Sequence, residues 1–242
     1  MPIKFENNQV VILNPASLEE VGRVDLSTTE DVEKALNTAT HYTAWSSLSI
    51  NKRCRLINKF RKVILQNSDL IKSEIKAETG KKDFVVFTEI LSFLDHAKTM
   101  SKIAKNALKR SSRKPGFLFK NKKAYVQYEP MGVMGIISPW NFPIATPMKG
   151  VIEGLLAGNN IILKPSEFTP LAIRVVKKLW DDNIGYEDAF QIVNGKGDIG
   201  SLLIKSNLTD IISFTGSTEV GLQIAKICSE TLKPCILELG GK

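Results

Sequence analysis

The sequence predicts an α/β fold: a doubly wound, parallel five-stranded sheet of Rossmann-like form, preceded by helices and by a protruding β-hairpin. Three observations lead there. Five short, continuous apolar runs rich in Ile and Val fall in the second half, at 133–137, 161–163, 190–193, 211–214 and 236–239. Runs of that kind mark strands covered on both faces. Helical stretches at 146–157, 170–181, 197–204 and 217–228 separate them, and strand–helix alternation builds a parallel sheet. Glycine-bearing turns then join strands to helices, as nucleotide-binding folds require.

The first half reads as helices after a short strand-like entry. Ser27-Thr28-Thr29-Glu30 has capping-box form, and Val32, Ala35, Leu36 and Ala39 follow at helical spacing. A second helix covers roughly 52–66, and Ser68-Asp69 restarts one that Gly80 ends. A long helix runs over about 83–108, and Lys114-Pro115-Gly116 breaks it. Phe117-Leu118-Phe119 and 124–128, joined by Lys120-Asn121-Lys122-Lys123, read as the two strands of the hairpin. The expected organisation is a helical part over 1–114, a hairpin over 115–129 and a Rossmann-like core over 130–242.

Composition narrows the class. Hydrophobic residues at 43% and charged residues at 24% are ordinary for a globular chain. No apolar run reaches the roughly 18–20 residues of a membrane span, and the first residues lack a secretory layout, so the expected location is cytoplasmic. Cys54, Cys228 and Cys235 suit reduced thiols. With only His41 and His96 and no Cys/His cluster, no metal site is expected. The net charge of +8 has a local origin. Ten cations and no acid lie between Lys98 and Lys123, which leaves the remainder at −2. That stretch fits the solvated face of an amphipathic helix better than a nucleic-acid patch, because no stacking aromatics interleave with the charges along the helix.

Five segments carry the candidate chemistry. Gly216-Ser217-Thr218-Glu219-Val220-Gly221 follows a strand and opens a helix, where amides and a hydroxyl meet a phosphate; a plain Gly-Ser N-cap fits the same residues. Gly195-Lys196-Gly197-Asp198-Ile199-Gly200 fits G-x-G-x-x-G, without the acidic residue about twenty positions on. Lys164-Pro165-Ser166-Glu167 ends a strand, the place where open α/β sheets bind ligands; taken alone it is a surface turn. Ser138-Pro139-Trp140-Asn141-Phe142-Pro143 is a stiff loop presenting one amide, and Glu238 closes the last strand ahead of Gly240-Gly241-Lys242. An amide and a carboxylate so placed suit a charge-stabilising donor and a general base with a partly desolvated, raised pKa.

Together, and in their order along the chain, these segments resemble the aldehyde dehydrogenase superfamily, most specifically from Glu129 to Lys242. The resemblance implies oxidation of an aldehyde to a carboxylic acid with NAD(P)+ through a cysteine thioester. In it Asn141 is the oxyanion amide and Glu238 the base that activates water. It also implies that Ile137, Ser138, Pro139, Trp140, Lys164, Ser166, Glu167, Gly197, Gly200, Phe214, Gly216, Ser217, Gly221 and Leu239 bind the cofactor. NAD is favoured because Glu167 repels a 2′-phosphate, with NADP possible because Lys164 offsets it.

None of the three cysteines stands in the family's nucleophile context, and all three read as buried or inert thiols. The expectation is an N-terminal part whose catalytic domain and nucleophile are absent and which is inactive alone. A homo-oligomer or a complementing C-terminal half would complete it. The hairpin belongs to the oligomerisation region, and the expected partner molecule is a small aldehyde, with no nucleic acid and no membrane span. A non-catalytic nucleotide-binding remnant and one half of a split enzyme stand as alternatives.

Overall fold

An antiparallel three-stranded sheet opens the chain where the sequence suggests only a short entry. In the computed structural model, which describes residues 1–241, the strands are β1 (Ile3–Glu6), β2 (Gln9–Leu13) and β3 (Glu20–Asp25). Asn7 and Asn8 turn β1 into β2 with φ of 48° and 61°, the paired left-handed residues of a tight hairpin. Val10, Ile12 and Val24 then bury one face against Leu171.

Helix α1 (Thr29–His41) carries a capping box, shifted by one residue from the expected one. Thr28, not Ser27, is the N-cap, and Asp31, not Glu30, reaches back to it. Asp31 N donates to Thr28 Oγ1 at 3.2 Å and Thr28 N to Asp31 Oδ2 at 2.9 Å. Ser27 is taken by a tertiary contact: its hydroxyl accepts from Asn194 N at 3.0 Å. Ser49 caps α2 (Ile50–Gln66), and α3 (Ser68–Thr79) ends on left-handed Gly80. The long α4 (Asp83–Ala107) follows.

The hairpin differs from the sequence reading. Its strands are β4 (Ser111–Arg113) and β5 (Ala124–Val126), while Phe117–Phe119 is a 3-10 turn in the connection. Lys114-Pro115-Gly116 ends the first strand, because Pro has no N–H to give a ladder. Phe117 and Leu118 are consequently 79% and 84% exposed at the tip of an arm.

The second half forms the parallel sheet. Its strands are β6 (Val133–Ile137), β7 (Asn160–Lys164), β8 (Phe190–Ile192), β9 (Ile211–Gly216) and β10 (Cys235–Leu239), in the spatial order β10-β9-β6-β7-β8. The crossover helices are α5 (Ala145–Ala157), α6 (Leu171–Ile184), α7 (Gly197–Lys205) and α8 (Thr218–Glu230). Strand order reverses between β6 and β9, which makes the crevice beyond their carboxyl ends the expected ligand site.

Side chains alternate across this sheet, and the two faces are covered differently. Met134, Ile136, Ile161, Leu163 and Phe190 pack on α2, α4, α5 and α6 in the largest core. Trp45, Trp180, Phe60 and Phe190 make edge-to-face contacts there, and Trp45 Nε1 donates to Leu155 O at 2.8 Å. On the opposite face Val133, Ile162 and Val193 meet α1 and α7, while Ile212, Phe214, Leu237 and Leu239 meet Ile204 and α8. The sequence reading has all five strands covered on both faces. That fails at β10, where Ile236 and Glu238 point away from α8 and are exposed.

Candidate active-site cleft at the carboxyl edge of the sheet

The alternation fixes where each candidate side chain goes. On β10, Cys235, Leu237 and Leu239 pack toward α8, so Ile236 and Glu238 take the other face. There they line a cleft of about 380 Å³ with Ser138, Thr146, Lys149, Ser213 and Thr215. Glu238 therefore reaches the cleft edge, but as an exposed carboxylate rather than a partly desolvated one. Strand β10 is an edge strand, and among the described residues nothing packs over that face of it.

Ser138 continues β6 by donating its N–H to Lys164 O at 3.2 Å. Its hydroxyl is buried in the same cleft with no hydrogen-bond partner among the described residues. A buried, unpaired hydroxyl is a rare state that calls for an explanation. Trp140 is 45% exposed, and its carbonyl accepts from Thr169 Oγ1 at 3.3 Å. Asn141 is exposed, while Pro143 behind it is buried.

The loop then enters α5, which has no side-chain cap of its own. Glu89 from α4, 1% exposed, supplies the acceptor: Ile144 N and Ala145 N donate to its Oε1 at 2.8 and 3.2 Å. Lys81 Nζ sits 3.1 Å from the other oxygen of Glu89, donates to the Asn141 carbonyl and lies 4.2 Å from the Phe142 ring centre. The sequence reading missed both residues. Glu89 is an acid on the inner stripe of an amphipathic helix, beside Val86, Ile90 and Phe93, and that position was the available signal.

On the other face of the sheet the glycine segments close around Lys164. This residue is 4% exposed, and burial lowers its pKa, against the nearby carboxylates of Glu167 and Asp198, which raise it. Its ammonium donates to Pro165 O at 3.0 Å and stands 3.4 Å from Glu167 Oε2. Gly200 abuts this pair of strand ends, since a Cβ there would sit 3.4 Å from both Ile137 Cδ1 and Lys164 Cδ. Ile137, Lys164 and Gly200 are thus brought together.

Gly197 opens α7 with open space around it. At Gly216 a Cβ would come within 2.4 Å of the Phe214 ring, and at Gly221 within 2.4 Å of Leu239. These two glycines admit their neighbours' side chains before they admit any ligand. Ser217 caps α8, its hydroxyl accepting from Val220 N at 3.3 Å, and Ser166 Oγ accepts from Phe168 N at 3.4 Å.

The three thiols lie apart from the cleft. Cys54 donates to Ser101 O at 3.3 Å inside the main core, and burial raises its pKa. Cys228 lies on the buried face of α8, with its pKa raised by burial, and half-buried Cys235 packs in the same cluster. Among the described residues no group of His, Cys, Asp and Glu is placed to hold a metal ion, and no helix is long and apolar enough to cross a membrane.

Comparison with known proteins agrees with the fold. The aldehyde dehydrogenase family profile matches residues 3–242. A Mycolicibacterium smegmatis protein, provisionally named succinate-semialdehyde dehydrogenase [NADP(+)], is 32% identical over 92% of this chain and 43% of its own length. The D-glyceraldehyde dehydrogenase (NADP(+)) of Picrophilus torridus is 30% identical over 95% of this chain and 46% of its own. The crystal structure of a Mycobacterium tuberculosis aldehyde dehydrogenase complexed with NAD+ superposes with a TM-score of 0.92, at 28% identity, over 98% of this chain and 49% of that one. The chain spans about half the length of the curated relatives it matches. With a family profile matched along nearly its whole length and a parallel sheet that superposes on solved members, the chain belongs to the aldehyde dehydrogenase family.

Proposed function

We propose that this chain supplies the cofactor site, the oxyanion amide and the general base of an NAD(P)-dependent aldehyde dehydrogenase that releases a free carboxylic acid. One observation carries the reading: the buried, unpartnered hydroxyl of Ser138 shares a cleft with Glu238, beside the switch point of a parallel sheet.

The residues present fit a dinucleotide. Gly197 opens α7 with open space where a Cβ would stand, and Ser217 opens a thirteen-residue helix at the carboxyl edge. Amides of a helix's first turn lack intrahelical partners and face an anion favourably. In this reading the Ser217 hydroxyl and the first-turn amides of α8 take the phosphate side, with Gly216 and Gly221 shaping that turn around Phe214 and Leu239. Lys164 and Glu167 bond ribose hydroxyls, and Ser166, Gly197, Gly200, Phe214 and Leu239 line the trough. Backbone from Ile137 to Trp140 borders the reacting end. When bound, NAD(P)+ supplies the hydride acceptor.

The chain's own residues then act on substrate and water. Asn141 donates its side-chain N–H to the aldehyde oxygen as negative charge gathers there, a contribution of about 3–4 kcal/mol in a preorganised site. Glu238, exposed at the cleft edge, takes a proton from the water that cleaves the acyl group from sulfur. The cysteine nucleophile in this reading comes from outside residues 1–242. Free thiols and the absence of a disulfide suit a reducing, cytoplasmic setting. The arm of β4 and β5, with Phe117 and Leu118 bare at its tip, would join a further strand in a homo-oligomer or a complementing half.

The test uses the exposure difference among the tryptophans. Trp45 and Trp180 are fully buried, so Trp140 reports on the cleft. Titration with NAD and with NADP should quench its fluorescence saturably, and Ser217→Glu should abolish the effect. A folded, monodisperse chain that binds neither would sink the cofactor reading. Oxidation on adding a cysteine-bearing second half would support the enzymatic reading; cofactor binding without oxidation would leave a nucleotide-binding protein.

A further inference from the structure

We propose that Lys81 is a positioning residue for the Asn141 loop, acting from the turn between α3 and α4 and anchored by Glu89. The part that concerns Asn141's chemistry rests on the proposed function. Left-handed Gly80 ends α3, and a Cβ there would fall 2.8 Å from Pro15 Cγ, so the chain turns tightly and delivers Lys81 to the Asn141 loop. The ammonium then meets three groups at once: Glu89 Oε2, the carbonyl of Asn141 and the face of Phe142.

The other anchors of this loop lie to either side of Asn141. Ser138 N is tied to Lys164 O, Trp140 O to Thr169 Oγ1, and Thr146 N to Phe142 O at 3.2 Å. Glu89 holds the two amides that begin α5. Lys81 holds the carbonyl on the C-terminal side of Asn141, as Thr169 holds the Trp140 carbonyl on its N-terminal side, and the two peptide planes together set the direction in which the Asn141 side chain leaves the loop. Its partner is fixed in turn, because Glu89 is buried and already bonded to Ile144 and Ala145. A cation held in this way carries order from α4 into the loop, and misplacing a reacting group by about 1 Å can cost about 100-fold in rate.

Three variants separate this from a merely structural ion pair. Lys81→Met keeps the aliphatic stem over Phe142 and removes the donor; Lys81→Arg keeps a donor; Lys178→Met, in an exposed pair on α6, is the control. Hydrogen–deuterium exchange of the 242-residue chain is the first readout. Lys81→Met should speed exchange of the 141–146 segment at least tenfold while β7 and β9 keep their rates, and Lys81→Arg should restore the parent rate. Unchanged exchange at 141–146, or equal acceleration across the molecule, would overturn the proposal. With the cysteine-bearing portion added, Lys81→Met should lower kcat about tenfold and leave NAD affinity unchanged, while Lys81→Arg recovers it. Unaltered kcat would remove the role. Failure of the unsubstituted chain to bind NAD or NADP would defeat the functional reading and leave the exchange result standing.

Discussion

Two neighbouring helices of the same core, α5 and α6, start the same way and are treated differently. Neither carries a capping side chain of its own. Each borrows a buried carboxylate from the first half: Glu89 for α5, Glu78 for α6, where Leu171 N and Ala172 N donate at 2.7 and 3.3 Å. Glu89 has a lysine against its second oxygen. Glu78 makes no ion pair among the described residues, and burial pushes its pKa up to about 8 against two backbone donors that pull it down. The helix that opens beside the candidate site has the counterion; the helix that serves the core does without.

The difference teaches how a carboxylate cap is made compatible with burial. A buried charge is costly unless paired and hydrogen-bonded. Where pairing is available it also delivers a cation to the surface of the site. Where it is not, the group holds its proton over a wider pH range, and the helix start becomes sensitive to alkali.

The largest effect should come from breaking the paired cap. Glu89→Ala leaves two α5 amides and the Lys81 ammonium without their acceptor, and should cost about 3–5 kcal/mol, read as a fall in urea midpoint. A loss below about 1 kcal/mol would show that water replaces the carboxylate at no great cost.

Glu78 gives the next effect, and its sign is set by the direction of the shift. The folded pKa of about 8 lies above the unfolded 4.5, so the native state binds more protons between those values. Stability therefore falls as pH rises from about 4.5 to about 8. Glu78→Gln keeps an acceptor and cannot ionise, so it should flatten that slope. Relative to the parent it should gain at least about 1.4 kcal/mol at pH 9, one pKa unit's worth, and little at pH 5. Parallel slopes in the two proteins would contradict the buried, uncompensated carboxylate.

Ser217 tests the ordinary version of the device. It caps α8 from its own sequence position, and Ser217→Ala should cost about 1 kcal/mol in thermal or urea unfolding. A larger loss than Glu89→Ala would invert the comparison. The smallest effect belongs to the exposed ion pair of Lys178 and Asp182 on α6. A double-mutant cycle there should give about 0.3–0.5 kcal/mol, and less at high salt.

Much of the architecture was legible because it rests on local patterns. The runs that became β6 to β10 were visible from their Ile and Val content, and β6 was bounded correctly at Val133 and Ile137. Gly80 ended α3 where a left-handed residue was needed. The errors have equally local causes. Ser27 and Thr28 are both competent caps, and a hydrogen bond with distant Asn194 decided between them. Phe117-Leu118-Phe119 has strand composition, but the proline before it and pairing of 111–113 with 124–126 leave it in a turn.

The candidate site divides along the same line. Residue types and spacing in Ser138-Pro139-Trp140-Asn141, Lys164-Pro165-Ser166-Glu167 and Glu238-Leu239-Gly240-Gly241 were readable from the chain alone, because each occupies a strand end followed by a turn. The sequence by itself thus determined the strand–helix order, the helix stops and the segments that meet at the carboxyl edge, since periodicity, glycine and proline act over a few residues. Tertiary structure alone decided that Glu238 emerges on the uncovered face and that Ser138 Oγ is buried without a partner. It also decided that Lys81 and Glu89, about fifty to sixty residues before the loop, hold Asn141 and α5. Those outcomes depend on which faces pack and which charges are withdrawn from water, and neither quantity exists until the chain has folded.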